Sequence, residues 1–241
     1  MSVNKEFVKF DKVDKSYDGK VLVVKDLQLD IAEGEFITML GPSGSGKTTC
    51  LMMLAGFETP TNGEIYLDGN AISSIPPHKR GIGMVFQNYA LWPHMTVGQN
   101  VAYGLNLRKI DSVTTQKKIT EVLKVVQMED YADRPVNAIS GGQQQRVALG
   151  RALVMRPEVI LFDEPLSNLD ALLRENVRIE IKRIVKLFNL TAIYVTHDQH
   201  EALSLSDRIA LMNKGEIIPV SYTHLRAHET EADLVCRLLL E

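Results

Sequence analysis

Eight residues near the N-terminus, GPSGSGKT at 41–48, have the types and the spacing that hold a phosphate group. Glycines let the backbone turn its N–H groups toward an anion, Lys47 adds a positive charge, and the Thr48 hydroxyl suits Mg²⁺. A strand predicted at 36–40 and a helix at 47–55 frame the loop, and the helix would point its positive dipole end at the phosphates. The alternative, a glycine turn with a surface lysine, is disfavoured by the complete pattern, which predicts a nucleotide-binding loop. The residues assigned to it are Gly41, Pro42, Ser43, Gly44, Ser45, Gly46, Lys47, Thr48 and Thr49.

Two acids, Asp163 and Glu164, follow the continuous apolar run at 159–162. Such a run is typical of a parallel strand buried on both faces, and open α/β sheets bind ligands outside the carboxyl ends of their strands. One acid there can hold Mg²⁺ through its water shell, and the other can polarise an attacking water. A solvated acidic pair is the alternative, which the phosphate loop makes the minority interpretation.

Two aromatic side chains are weaker candidates. His197 follows the predicted strand AIYVT, where it can contact a terminal phosphate, but a lone histidine is as easily a structural residue. Tyr17 lies in the turn-like KSYDGK, where its ring is either a surface aromatic or a stacking platform for adenine.

A second anion-binding pattern occurs more than ninety residues after the first. Ser140, Gly141, Gly142 and Gln143 precede the helical run QQQRVALGRALV, and a serine with two glycines at a helix N-terminus makes a nest for an anion. A helix cap is the plain alternative. One phosphate loop already holds one nucleotide, so this nest raises the question of whose phosphate it binds.

The bulk properties exclude several classes of protein. The chain has 241 residues, is 45% hydrophobic and carries a net charge of −3, which suits a globule with a real core. That charge argues against a nucleic-acid binder. Cys50 and Cys236 are the only cysteines, so no disulfide framework is indicated, and Cys50 is predicted to be a small buried residue. We find no signal peptide and no apolar run long enough to span a membrane, and we expect a cytoplasmic protein.

The elements that position these residues alternate in type. Period-two alternation at 27–31 and turn residues around 63–69 predict strands, and IGMVF at 82–86 predicts another. Residues 88–156 are more helical: an apolar stripe of Ile119, Val122, Leu123 and Val126 follows the capping types Asp111 and Ser112. Strands resume at 159–162 and 192–196, with helices after each. This order predicts a doubly wound parallel sheet.

Taken in order, these motifs make the chain similar, from about residue 5 to 218, to the nucleotide-binding subunit of an ABC transporter. The resemblance implies an α/β P-loop NTPase fold with a RecA-like parallel-sheet core, an N-terminal antiparallel β subdomain and an inserted α-helical subdomain. The core would comprise 1–87 and 157–218, and the helical subdomain 88–156. The matching motifs are Walker A at 41–48, the Q-loop Gln87, the signature at 139–143, Walker B at 159–164, the D-loop at 167–170, the switch His197 and the aromatic A-loop position Tyr17.

The resemblance also implies roles and partners. ATP and Mg²⁺ would be the cofactors, with Thr48, Gln87 and Asp163 arranging the metal, Glu164 as general base, Lys47 on the phosphates and His197 as the switch. Two copies would face head to tail, so that Ser140, Gly141, Gly142 and Gln143 act on the partner's ATP. Other partners would be transmembrane permease subunits and, indirectly, a solute-binding protein, which places the subunit on the cytoplasmic face of the bacterial inner membrane.

The solute is less well indicated. PHKRGIGMVFQNYALWPHMTVGQNVAYGL and EPLSNLDALLR are similar to importers of polyamines, maltose-type sugars and iron, and GKTTCLMMLAGFETPTNGEI leans toward the polyamine branch (spermidine and putrescine). One rival hypothesis is an ATPase of the family's DNA-repair or translation branches, against which the lack of a long coiled-coil insertion and of a second cassette argues. Another is an inactive fragment that binds nucleotide without dimerising.

Some positions depart from the family pattern. Ile139 replaces the usual Leu, His200 replaces an acidic or small residue, and Gly150 replaces Ala at an expected cost of about 0.5–1 kcal/mol of helix stability. Residues 219–241 match nothing in the family. They are either a genuine helix capped by Thr230 or, as we favour, a foreign tail on a truncated subunit that lacks the regulatory C-terminal domain.

Overall fold

The computed structural model describes residues 4–218, and the atypical tail lies outside them. The described chain divides into two compact units, one made of residues 4–80 and 189–218 and the other of residues 81–188. Both units combine strands and helices, so the chain is a mixed α/β protein. The sequence predicts subdomain boundaries at other positions, between residues 87 and 88 and between residues 156 and 157. That subdivision stays a prediction.

The first unit contains a four-stranded antiparallel sheet. Its strands are β1 (Val8–Ser16), β2 (Leu22–Ile31), β4 (Asn62–Leu67) and β5 (Asn70–Ala71), in the order β2-β1-β4-β5. Residues of β1 alternate between buried and partly exposed along much of the strand, as a sheet with one covered face requires. The register pairs Lys15 with Val24 and Ser16 with Leu22, so the turn at 17–21 closes a hairpin.

The same unit contains a parallel arrangement in which β3 (Phe36–Leu40) lies between β8 (Thr191–Thr196) and β9 (Arg208–Asn213). The short β10 (Glu216–Ile217) pairs antiparallel with β9. Every residue of β3 and β8 is buried, which explains their largely apolar sequences. Helix α1 (Lys47–Ala55) follows β3, and α6 (Gln199–Leu205) follows β8.

The second unit pairs β6 (Ile82–Val85) in parallel with β7 (Val159–Asp163). Its helices are α2 (Val97–Leu107), α3 (Ser112–Val125), α4 (Gly141–Leu153) and α5 (Ala171–Leu187). Their starts follow capping chemistry: the Asp111 side chain accepts from Thr114 N–H, and Asp170 caps α5 by accepting from Leu173 N–H. On α5 an apolar stripe of Val177, Ile181, Ile184 and Val185 is buried, whereas Phe188, at the C-cap, is 37% exposed.

Two helical features were not obtained from the sequence. Helix α2 was missed because Gly98 and Gly104 weaken its pattern, although Thr96 and Gln99 form a complete capping box that signals its start. Gly150 on α4 was expected only to weaken the helix. A Cβ there would lie 3.2 Å from Val122 Cγ1 and 3.4 Å from Val126 Cγ2, so the glycine also permits close packing of α4 on the end of α3.

Candidate functional site

The phosphate loop connects β3 to α1 and depends on two glycines. Gly46 caps α1 with φ of 99°, a conformation that other residues rarely adopt. At Gly41 a Cβ would meet the Met212 carbonyl oxygen at 2.1 Å, so only glycine fits against that neighbouring strand. The rim of the loop at 42–44 is exposed, as a surface that receives a ligand must be.

The Lys47 side chain lies inside this loop. It is only 4% exposed, and its Nζ donates to the carbonyl oxygens of Gly41 and Pro42, each at 2.8 Å. The next residue, Thr48, is exposed in the first turn of α1. The loop therefore combines a buried ammonium, a helix N-terminus and an accessible hydroxyl, which together suit a phosphate chain with its metal ion.

A turn far along the chain braces the loop, and sequence reasoning missed it. Gly215, between β9 and β10, donates its N–H to the Ser45 carbonyl oxygen at 3.1 Å and accepts from Lys25 N–H at 2.8 Å. A Cβ at Gly215 would lie 2.5 Å from the Val23 carbonyl oxygen. The turn pair Lys214-Gly215 was a local signal for this bend, but nothing local could indicate its contact with the loop.

His197 also lies beside the loop within this unit. In the parallel register Leu40 of β3 pairs with Thr196 of β8. Gly41 and His197 are therefore the residues that directly follow two adjacent strand positions. The turn carrying it is fixed by a buried carboxylate that sequence analysis did not single out: Glu201 accepts from Tyr194 Oη at 2.8 Å and from Thr196 Oγ1 at 2.9 Å. His197 itself is exposed at the carboxyl end of β8, as predicted.

Tyr17 lies in the turn between β1 and β2 and is 59% exposed. The turn is ordered by Asp18, whose carboxylate accepts from Val21 N–H and Lys20 N–H, each at 2.8 Å. These hydrogen bonds stabilise the ionised form and lower the pKa of the Asp18 carboxyl. The ring is thus held on a structured turn rather than on a loose loop.

In the second unit, the acidic pair follows β7 as predicted. Asp163 is 8% exposed and ends the strand, while Glu164 has a left-handed φ of 44°. The N–H and the hydroxyl of Ser167 both bond to the Glu164 carbonyl oxygen, at 3.2 and 2.9 Å, and close a turn that stabilises this backbone. A strained residue held by its surroundings is typical of functional sites.

The same turn contacts the predicted Q-loop. Val85 pairs with Phe162 in the parallel register, so Gln87 and Glu164 each lie two residues beyond adjacent strand positions. Asn168 Nδ2 donates to the Gln87 carbonyl oxygen at 2.9 Å. The structure therefore brings together Gln87 and the turn after Glu164, and it adds Asn168 as a residue that no sequence signal marked for this contact.

Residues after Gln87 are held by α4. The guanidinium of Arg151 donates to the carbonyl oxygens of Tyr89 and Ala90, both of which have left-handed backbones, and lies 4.9 Å from the Trp92 ring centre. Trp92 in turn packs on Tyr103, with ring centres 3.9 Å apart. Burial lowers the pKa of Arg151, but arginine stays charged at any working pH.

The predicted anion nest lies at the N-terminus of α4. Ser140 and Gln143 form a capping box: Gln143 Oε1 accepts from Ser140 N–H at 2.9 Å, and Ser140 Oγ accepts from Gln143 N–H at 3.4 Å. Ser140 and Gly141 are exposed, whereas Gly142 is buried beside Leu173, whose methyl groups a Cβ would meet at 2.8 Å. The structure therefore shows the plain cap, with Ser140 and Gly141 accessible at the start of the helix. The anion nest stays a prediction.

Among residues 4–218, the structure contains no helix with the length and hydrophobicity that a membrane span requires. That part of the chain also has no group of three or more His, Cys, Asp or Glu side chains arranged to hold a metal ion.

Comparison with known proteins gives consistent matches. A family model described as ABC transporter matches residues 24–167. The Fe(3+) ions import ATP-binding protein FbpC of Fusobacterium nucleatum is 52% identical over 217 residues, which cover 90% of this chain and 57% of that protein. The spermidine/putrescine import ATP-binding protein PotA of Clostridium novyi is 49% identical over 210 residues, covering 87% and 60%. The chain thus spans less than two thirds of the length of these relatives.

Among solved structures, the chain is similar to the ATP-binding cassette MJ0796 in a dimeric, post-hydrolysis state bound to ADP and Pi. That match has a TM-score of 0.79 and 34% identity, and it covers 92% of this chain and all of the other. The likeness extends over both units and identifies the fold as that of a P-loop ATPase cassette.

Proposed function

Because this chain belongs to the ABC transporter family, we propose that it binds and hydrolyses ATP to power solute import across the bacterial inner membrane. The observation that carries the proposal is the loop at 41–48, where the Lys47 ammonium lies inside a glycine turn at a helix N-terminus. A phosphate chain is the ligand that this combination of donors recognises. The import ATPases among its relatives, which are about half identical to it, support the coupling to transport.

ATP binding is assigned to the loop and to Tyr17. The backbone amides of residues 43–49 and Lys47 would hold the phosphates, and the exposed ring of Tyr17 would stack on adenine. The left-handed Gly46 and the brace from Gly215 keep the loop in a shape that needs little reorganisation, which favours tight binding.

The residues proposed for Mg²⁺ fit that ion by chemistry. Thr48 offers a hydroxyl, Gln87 an amide oxygen and Asp163 a carboxylate, and Mg²⁺ prefers oxygen ligands with several waters retained. The ion would neutralise charge on the triphosphate. A site with so few protein carboxylates is compatible with the lack of an acidic cluster within residues 4–218.

Glu164 is proposed as the general base for hydrolysis. Its carboxylate would accept a proton from the attacking water, while its backbone is fixed by Ser167. His197 is proposed as the switch that contacts the terminal phosphate, and its position beside the loop-bearing strand supports this role. Gln87 is tied to the turn after Glu164 by Asn168 and would keep its side chain near the metal.

A second copy is proposed to complete the site. Ser140 and Gly141 are exposed at the start of α4, where the helix N-terminus would offer an anion nest, and the one phosphate loop of a chain accounts for only one nucleotide. A head-to-tail dimer would place Ser140, Gly141, Gly142 and Gln143 on the partner's ATP. The dimeric state of the similar ADP- and Pi-bound cassette supports this arrangement.

The membrane partner is proposed to be a permease that docks on the segment from Gln87 to His94. Arg151 and Asn168 hold the backbone of that segment, so it can transmit force rather than absorb it. The subunit would then be cytoplasmic and peripheral on the inner membrane, and a solute-binding protein would act through the permease.

Spermidine and putrescine are the proposed solutes, with sugar or iron as alternatives. The relatives named above divide between polyamine and iron import, so identity alone does not separate them. Reconstitution with a permease that binds this subunit would identify the solute: uptake of labelled spermidine that depends on ATP supports the first choice, and uptake of iron alone contradicts it.

The test of the proposed activity is Glu164→Gln. We expect ATP turnover to fall by about two to four orders of magnitude while ATP affinity is retained, because the amide cannot accept the proton. Steady-state phosphate release and equilibrium binding measure the two quantities. The matched control is Glu175→Gln, an exposed change on α5 that should leave both unchanged. Full turnover in the Glu164→Gln variant would show that the base is another residue.

A further inference from the structure

Lys15, near the end of β1, is an unusual lysine because it is only 8% exposed. Its Nζ lies 2.7 Å from Glu58 Oε2 and donates to the Thr59 carbonyl oxygen at 2.9 Å. Both partners lie just beyond the end of α1. The ammonium is therefore fixed by an ion pair and a hydrogen bond, and it has little freedom to move.

This fixed cation lies against Tyr17. Lys15 Nζ is 4.8 Å from the centre of the Tyr17 ring, within the range of a cation–π contact. Because Lys15 is nearly buried while Tyr17 is 59% exposed, the cation covers the inner side of the ring and leaves the outer side accessible. Lys15 thus holds the Tyr17 ring in place from its inner side.

The anchored ring also lies close to the phosphate loop within the same unit. Lys15 pairs with Val24 across the hairpin, and a Cβ at Gly46 would lie 3.2 Å from Val24 Cγ2 and 2.8 Å from the Val23 carbonyl oxygen. The end of the hairpin that carries Tyr17 therefore packs on the loop. A nucleotide whose phosphates occupy the loop would have its base on this side.

We propose that Lys15 is a positioning residue for the base of the nucleotide: it holds the Tyr17 ring with its outer face open to a purine. This inference rests on the proposed function, because it assumes that ATP occupies the loop. Two effects contribute. The cation withdraws electron density from the ring and strengthens stacking of an electron-rich purine, and it reduces the side-chain entropy lost when the base binds.

The proposal separates base recognition from phosphate recognition, which makes it testable on the full chain. The binding constants of ATP and of inorganic triphosphate would be measured by calorimetry for the wild type and for Lys15→Met, which keeps the stem and removes the charge. We expect ATP to bind about three- to tenfold more weakly to the variant, while triphosphate affinity stays within about twofold. Lys15→Arg, which retains a cation, should recover most of the ATP affinity.

Three further variants distinguish a selective effect on the base from a general loss of structure. Lys9→Met removes another β1 lysine, whose Nζ lies 2.9 Å from the exposed Glu6 carboxylate, and it should change neither constant. Glu58→Gln removes the anchor at a side chain that is 33% exposed, so this variant should fold and should show the same selective loss of ATP affinity. In a Tyr17→Ala background, Lys15→Met should add no further loss, because the ring through which it acts is gone.

The outcomes are distinct. Equal weakening of ATP and triphosphate by Lys15→Met and Glu58→Gln would show a merely structural lysine and overturn the inference, as would unchanged ATP affinity in both. In those cases the wild type still binds ATP, so the proposed function stands. A wild type that binds no ATP would overturn the proposed function and this inference with it.

Discussion

Glu180 on α5 shows how a single buried carboxylate sets a pH dependence. Arg146 Nε lies 2.9 Å from its Oε2, yet within residues 4–218 neither carboxylate oxygen has a partner with hydrogen-bond geometry, and both are buried. Loss of hydration raises the pKa of Glu180 above its ordinary value of 4.5, and the charges of Arg146 and Arg183 only moderate the rise. The ion pair therefore does not offset the cost of burying the charge.

A raised pKa in the folded state means that folding favours the protonated acid. The Glu180 contribution to stability is thus fully present below pH 4.5 and is lost as the pH rises through the folded-state pKa. We expect Glu180→Gln to remove this decline, so that the free energy of unfolding falls less between pH 4.5 and 7 than in the wild type. Urea unfolding across that range measures it.

The control for this prediction is Glu175→Gln on the same helix. Glu175 is about half exposed and pairs with Arg178, so its removal should leave the slope of stability against pH unchanged. An identical slope in the wild type and in Glu180→Gln would mean that Glu180 keeps an ordinary pKa in the folded chain.

At the scale of elements, helix α4 connects two segments for which functions are proposed. Ser140 is the N-cap of this helix. Arg151, eleven residues later, donates hydrogen bonds to the carbonyl oxygens of Tyr89 and Ala90 in the segment after Gln87. Asn100 on α2 holds the same segment from another side, accepting from Trp92 N–H at 2.9 Å and donating to its carbonyl oxygen at 3.2 Å. Movement of α4 should therefore carry this segment with it.

Replacing Arg151 with Gln should loosen that segment. Hydrogen bonds from a charged group contribute about 1.5–3 kcal/mol, so we expect a loss of stability in that range. Trp92 is the only tryptophan of the chain, so its fluorescence reports on the segment directly. Acrylamide should quench it more strongly in Arg151→Gln.

The matched control is Arg156→Gln. Arg156 lies beyond the end of α4, is exposed and pairs weakly with Glu121 at 3.5 Å. It should alter neither stability nor quenching. If Arg151→Gln also leaves the quenching of Trp92 unchanged, Arg151 does not hold the segment.

Sequence reasoning obtained the elements whose signals are local. The strands predicted at 36–40 and 159–162 are apolar runs, Asp111 marks the start of α3, and the glycines and Lys47 of the loop are a contiguous pattern. What it missed depends on distance along the chain. The brace from Gly215, the contact of Asn168 with Gln87 and the ion pair of Lys15 with Glu58 each join residues that are far apart in the sequence, whose types are common and whose meeting only the fold decides.

At the scale of the whole molecule, the proposed site is divided between two copies. ATP turnover per chain should then rise with protein concentration and level off when dimers predominate. The reason is that the ATP of a lone protomer has no partner to supply the residues at the start of α4. Glu164→Gln with ATP should elute as a dimer in gel filtration, and with ADP as a monomer.

Two results would contradict this division of the site. Turnover per chain that is independent of concentration, and unaffected by changes at Ser140 and Gly141, would mean that one protomer is complete. A chain that binds ATP but stays monomeric and does not hydrolyse it would be an inactive nucleotide-binding fragment.

The placement of Cys50 has a practical consequence. It lies on α1, one turn beyond the phosphate loop, with no exposed surface, and burial raises the pKa of its thiol to about 12. In a Cys236→Ser background it would be the sole thiol, unreactive toward maleimide until α1 detaches from the sheet. The labelling rate of this thiol would then measure how often α1 detaches from the sheet. The decrease in that rate with added ATP would give the affinity for ATP without a label on the nucleotide.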